Sequence, residues 1–171
     1  MVVGGPTTVL DVGGLRIVSD PTFDAPGPHG YLTKTAGPAV AEDQLGPVDL
    51  VLVSHDNHAD NLDDRGRAMA LAAPLVLTTR SGAERLGQPA VGLAPWTSHS
   101  VPRADGSELT VTAVPAVHGP EDGERDAARV ASKQNRALSL DSIRAASAAA
   151  VLGSAQLRLG DHGTWIPLMP L

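Results

Sequence analysis

Within nine positions, residues 55 to 63, the chain places His55, Asp56, His58, Asp60 and Asp63. Neutral imidazole and carboxylate are the donors that zinc, iron and manganese accept where thiolates are absent. They are absent throughout, because the sequence has no cysteine, which also removes any disulfide framework. A divalent ion held in such a loop lowers the pKa of bound water and supplies hydroxide near neutral pH, the basis of metal-assisted hydrolysis. The same composition also suits a plain strand-to-helix connection. Asp and Asn favour turns and helix caps, so Asn61 or Asp63 reads equally as the cap of a following helix. His118 adds weight to the metal reading, since it closes a second strand and a parallel or mixed sheet can bring strand ends together. His29 and His99 lie in Pro- and Ser-rich stretches and read as solvated side chains.

Positioning such a loop requires rigid elements on either side. Val48 to Val53 is a nearly continuous apolar run that ends abruptly at Ser54, the pattern of a strand buried on both faces. Arg65 to Ala72 reads as a short helix stopped by Pro74, and Leu75 to Thr78 as a second buried strand. Ser81 is placed to cap another short helix through Leu86, closed by Gly87. Leu109 to Val117 alternates apolar residues with Thr, a half-buried strand that delivers His118-Gly119-Pro120. Upstream, Thr8–Val12 and Leu15–Ser19 flank Gly13-Gly14, a two-residue hairpin turn. That glycine pair lacks the following helix of a phosphate-binding loop. From Pro21 to Pro47, Pro, Gly and Thr predict a long loop of the kind that forms rims and lids. The order ββ, loop, β, α, β, α, β predicts a mixed α/β sheet. Beyond Pro120, Glu121 to Lys133 is charged and low in apolar content. Leu140 to Leu152 is an Ala-rich helix candidate, Gln156 to Leu159 a short strand, and Trp165 to Leu171 irregular.

The whole chain, 171 residues with a formal charge of −6, is long enough for a real core and carries no general basicity for binding nucleic acid. No window reaches the ~18 uninterrupted apolar residues of a membrane span, and the start lacks a signal-peptide pattern, so a cytoplasmic location is expected. Only Phe23, Tyr31, Trp96 and Trp165 are aromatic. The core must therefore be built almost wholly from Val, Leu and Ala.

The stretch Ser54-His55-Asp56-Asn57-His58-Ala59-Asp60-Asn61-Leu62-Asp63 after a buried strand resembles the metal-binding loop of metallo-β-lactamase-fold hydrolases. It is most similar to the branch related to ascorbate-phosphate lactonase and the phospholipase D-like metallohydrolases. The early hairpin ending in Ser19-Asp20-Pro21 and the later strand ending in His118-Gly119-Pro120 follow the family's order over roughly residues 4–120. The resemblance implies an α/β (α+β) fold, the αββα sandwich of that family, with an N-terminal half at residues 1–120 and a diverged or truncated tail at 121–171. Against the family pattern His-x-His-x-Asp-His, one extra residue reconciles both ends of the motif. On that alignment the resemblance makes His55, His58, Asp60 and His118 metal ligands, with Asp60 also the residue that orients the attacking water. Asn61 then stands where the family has its last histidine, an amide being the weaker ligand, so one or two ions remain open. The resemblance also lets Asp20 line the site, against its reading as plain turn chemistry before Pro21, and offers Asp161 of Gly160-Asp161 as a later ligand. His162, which follows it, does not replace the family's late histidine.

The expected function is hydrolysis of an ester, lactone, amide or phosphoester in a small-molecule substrate by metal-activated water, with zinc the first expectation and iron or manganese the others. A non-catalytic half-domain that needs a partner or self-association as a homo-oligomer is the alternative, because the second half would leave a sheet face uncovered. A purely structural metal is a third reading.

Overall fold

The computed structural model describes residues 1–114 together with the backbone of two strands at 155–159 and 164–167. The Ala-rich helix expected at 140–152 and the expected boundary at residue 120 lie outside the described residues. The chain forms two compact units that divide after Gly92.

The first unit opens with β1 (Val2–Gly4) and β2 (Thr7–Val12), and β2 turns back on β3 (Leu15–Ser19). Val12 pairs with Leu15, leaving Gly13 and Gly14 as the turn with φ of 56° and 79°. Two consecutive positive values are what a tight type I′ hairpin demands and what glycine alone adopts without cost. The expected long loop after Pro21 proves to hold structure of its own. A short hairpin, β4 (Gly27–His29) with β5 (Leu32–Lys34), projects from it, and a 3-10 turn follows at Glu42–Gln44. The hairpin is largely exposed and needs no apolar alternation, so its residues carried no strand signal.

The buried run becomes β6 (Leu50–Leu52), parallel to β3 on one side and to β7 (Val76–Thr79) on the other. Leu50, Val51 and Leu52 are all buried, as a strand in the middle of its sheet requires. Helix α1 (Asp64–Ala72) connects β6 to β7, and α2 (Arg80–Leu86) leads from β7 to β8 (Ala90–Leu93). The sheet order is β1-β2-β3-β6-β7-β8, mixed as expected. The cap of α2 is Thr79, whose hydroxyl accepts the Gly82 N–H at 3.1 Å, and not Ser81. The helix starts immediately where β7 ends, which places Ser81 already in its first turn.

Two clusters of mainly aliphatic side chains hold this unit together. Val51, Val53, Leu62, Ala70, Ala73, Val76, Leu86 and Ala90 form one. Val3, Val9, Val18, Phe23, Leu45 and Met69 form the other, with Phe23 the buried aromatic of the described residues. Tyr31 and Trp96 are exposed.

In the second unit β9 (Ser98–Pro102), β10 (Glu108–Ala113), β11 (Ala155–Leu159) and β12 (Thr164–Pro167) form an antiparallel sheet in the order β12-β11-β10-β9. The expected strand at 156–159 is present. The expected irregularity from Trp165 is corrected, since Trp165 pairs with Arg158 within β12 and Pro167 only ends the strand. The edge strands β1, β8 and β9 escaped sequence reading because each is short and half-exposed.

Candidate functional site

The carboxyl ends of parallel strands are where open α/β sheets place ligands, because side chains from adjacent connections converge there. Here β3 and β6 end side by side. The Asp20 N–H donates to the Leu52 carbonyl at 2.8 Å, and the Ser54 N–H donates to the Asp20 carboxylate at 2.7 Å. Asp20 holds a positive φ of 39°, a conformation Asp tolerates better than most residues, and this turns its side chain toward the end of β6. Asp20 is therefore more than turn chemistry, because its carboxylate anchors the start of the His-rich loop.

Burial pushes the Asp20 carboxyl up to about 7, opposed by the hydrogen bonds from Ser54 and Asn61. In an unfolded chain the group ionises near its ordinary value of 3.8. Between pH 4 and 7 the unfolded chain has thus released a proton that the folded chain retains, and stability falls as pH rises through that window. The loss is of the order of 4 kcal/mol and constant above the folded value. In metal-free protein, Asp20→Asn is expected to flatten the pH dependence of the melting temperature between pH 4 and 7. An unchanged slope would show that Asp20 ionises normally in the fold.

The three aspartates of the loop have separate fates. Asp56 is nearly buried and accepts from Arg85 Nε at 2.9 Å, with Arg67 4.0 Å away. It ties the loop to α1 and α2. Asp63 caps α1, accepting the Gly66 N–H at 2.8 Å, and also takes the Asp24 N–H at 2.7 Å and Lys34 Nζ at 3.2 Å. Asp24 completes the cap by accepting from the Asp64 and Arg65 N–H groups. Of the two readings of the loop's polar residues, capping holds for Asp63 and not for Asn61. Asp60 alone is exposed, and its carboxylate accepts the Tyr31 hydroxyl at 2.8 Å.

The histidines converge. His55 Nε2 lies 3.1 Å from His58 Nδ1, with the rings perpendicular and their centroids 5.0 Å apart. The separation is that of a hydrogen bond between the two rings, and it is also close to the roughly 3.3 Å between two nitrogens bound to one tetrahedral zinc at its usual bond length. His55 Nδ1 lies 2.9 Å from the Ser54 hydroxyl, which also accepts from Asn61 Nδ2 at 3.2 Å. If His55 Nδ1 carries the proton and donates it to Ser54, Nε2 is left as a lone-pair donor, the arrangement common in imidazole metal ligands. Asn61, at the position of the missing histidine, thus braces Ser54.

Among the described residues no group of three or more His, Asp or Glu side chains gathers as a cation cage. The structure brings His55 and His58 together and leaves Asp60 turned to Tyr31. His118, Asp161 and His162 lie outside the described residues. The described donors that fit a divalent ion are therefore the two facing histidine nitrogens. Sequence reasoning missed Tyr31, whose ring meets His58 edge-on at 5.8 Å. Its single signal, an aromatic in a Pro- and Gly-rich stretch, does not say which loop it meets.

No protein-family profile matches the chain, and no curated protein matches it in sequence. Solved structures match it in fold. A possible metal-dependent hydrolase from Veillonella parvula superposes with a TM-score of 0.64 at 13% identity, over 99% of this chain and 61% of that one. The isothiocyanate hydrolase from Delia radicum gut bacteria gives a TM-score of 0.55 at 19% identity, over 77% of this chain and 53% of that one. The chain has the metallo-β-lactamase-type fold. It spans between half and two thirds of the length of these two solved structures. At such identities the metallo-β-lactamase-type fold is what the likeness carries, and the chemistry rests on the side chains themselves. Among the described residues no helix is long and apolar enough to cross a membrane.

Proposed function

We propose that the chain is a metal-dependent hydrolase acting on a small molecule, with its ion held at the end of β6. The observation that carries the proposal is the approach of His55 Nε2 and His58 Nδ1 to 3.1 Å on a loop braced by Ser54, Asn61 and Asp56. His55 and His58 would hold the ion, joined by Asp60 and, as the resemblance to metallo-β-lactamase-fold hydrolases implies, by His118. A divalent ion there, zinc first and iron or manganese next, supplies Lewis acidity and a source of hydroxide near neutral pH. The chain's own part is to orient. Ser54 would set the His55 tautomer, the buried Asp56 carboxylate ties the loop to Arg85 of α2, and Asp60, exposed on the same loop, would steer water and receive its proton. Ester, lactone, amide and phosphoester bonds all yield to this chemistry. The two hydrolases named above share the fold and lend the reading support.

Elemental analysis of the purified full chain tests it. Near-stoichiometric metal is expected, with a loss of at least tenfold in occupancy in His58→Ala and in His118→Ala, accompanied by loss of turnover. Metal and activity retained in His58→Ala would overturn the reading.

A second reading, a non-catalytic domain that needs a partner or a second copy, draws on Asp60, whose carboxylate is engaged by the Tyr31 hydroxyl. It predicts metal-free protein even after metal-supplemented purification, with concentration-dependent self-association by light scattering. A cooperatively melting, monodisperse monomer would count against it.

A further inference from the structure

The metal reading does not use the cavity that Asp60 also lines. About 330 Å³ in volume, it lies between the β1–β2 turn, the segment from β5 to Pro38, and the loop at Ala59 and Asp60. That is the low end of the size range of small-molecule sites, room for roughly ten to fifteen non-hydrogen atoms. Pro6, Leu32, Ala36 and Pro38 give it apolar walls, and Lys34 and Asp60 give it polar ones.

The charges decide what it would accept. The Lys34 ammonium already donates to the Thr22 carbonyl and to the Asp63 carboxylate, each at 3.2 Å, so its charge is matched by Asp63. Asp60 adds a further negative charge on the wall, and the His29 ring 3.4 Å from the Asp24 carboxylate is engaged there. An anionic ligand would meet carboxylates with one cation that is already paired. A neutral ligand with a carbonyl oxygen would meet apolar walls and the remaining N–H of Lys34, an ammonium having three donors. The geometry points to this cavity as the binding site for the body of a small neutral acyl compound, an ester, lactone or amide with a compact apolar group, in preference to a phosphorylated one. This rests on the hydrolase reading for its chemistry but not for its binding.

Two probes of nearly equal size separate the classes: acetanilide, a neutral amide, and phenyl phosphate. Each is titrated into metal-free full-length protein while backbone amide shifts are followed by NMR. Acetanilide is expected to move the amides of residues 33–37 and Ala59, and phenyl phosphate to bind at least tenfold more weakly. Ala36→Phe, which fills an exposed wall of the cavity and leaves the histidines alone, is expected to abolish the acetanilide shifts. Equal binding of phenyl phosphate would overturn the ligand class. No shifts with either probe, or shifts that survive Ala36→Phe, would overturn the site. Metal content and phenyl acetate hydrolysis, measured on the same two proteins, keep the readings apart. Binding without metal or turnover sinks the hydrolase alone, whereas turnover with an unaltered KM in Ala36→Phe sinks the cavity alone.

Discussion

Gly66→Ala is expected to leave little folded protein at 37 °C, although glycine in a helix ordinarily costs stability and alanine ordinarily restores it. Gly66 lies in the first turn of α1, buried against the segment that leaves β3. A β-carbon there would overlap the Pro21 carbonyl oxygen and stand 2.5 Å from the Pro21 carbonyl carbon. Both are backbone atoms and cannot swing aside as a side chain would. The helix or the Asp20–Asp24 segment must move instead, and both are pinned: Asp20 to Ser54, and Asp24 to the helix's first N–H groups. Such overpacking costs more than ~3 kcal/mol, well beyond the propensity gain of roughly 1 kcal/mol. Urea denaturation would read it as a lowered midpoint, and a variant as stable as the parent would show that α1 can shift freely.

The second large effect is expected from Asp63→Ala. This buried carboxylate serves the Gly66 N–H, the Asp24 N–H and the Lys34 ammonium together. Removing it uncaps α1, at about 1 kcal/mol, and strips a mostly buried cation of its counter-charge, at about 3 kcal/mol more before any discount for the water that still reaches Lys34. The loss is expected to total about 3 kcal/mol. Asp63→Asn keeps a carbonyl oxygen for Gly66 and is expected to recover about 1 kcal/mol of it. Denaturant midpoints at unchanged slope would check both values. A loss below 1 kcal/mol in Asp63→Ala would mean that water or Asp24 takes over the acceptor's work.

Both variants act on the joint that holds the His-rich loop between β6 and α1, and much of that joint was legible before the structure. Gly13-Gly14 announced the first hairpin, because a two-residue turn needs positive φ and little else supplies it. The run Val48–Val53 announced a central strand, because a strand covered on both faces tolerates nearly continuous apolar residues. The donors at its end were equally plain, since their types and crowding are properties of the chain itself.

Which donor does what was not legible. Asp56, Asp60 and Asp63 look alike in sequence, yet the first is claimed by Arg85, the second by Tyr31 and the third by Lys34. Each of those partners lies 29 residues away along the chain. A local pattern cannot name such partners, because they are chosen by strand pairing and helix docking. The same holds for Gly66, whose side-chain-free surface matters only because α1 packs on Pro21. By itself the sequence determined the local geometry and the stock of ligands, as turn dihedrals, burial periodicity and side-chain chemistry act over a few residues. The tertiary structure alone decided the assignment of roles, since burial and long-range pairing convert three equivalent carboxylates into an anchor, an exposed acceptor and a helix cap.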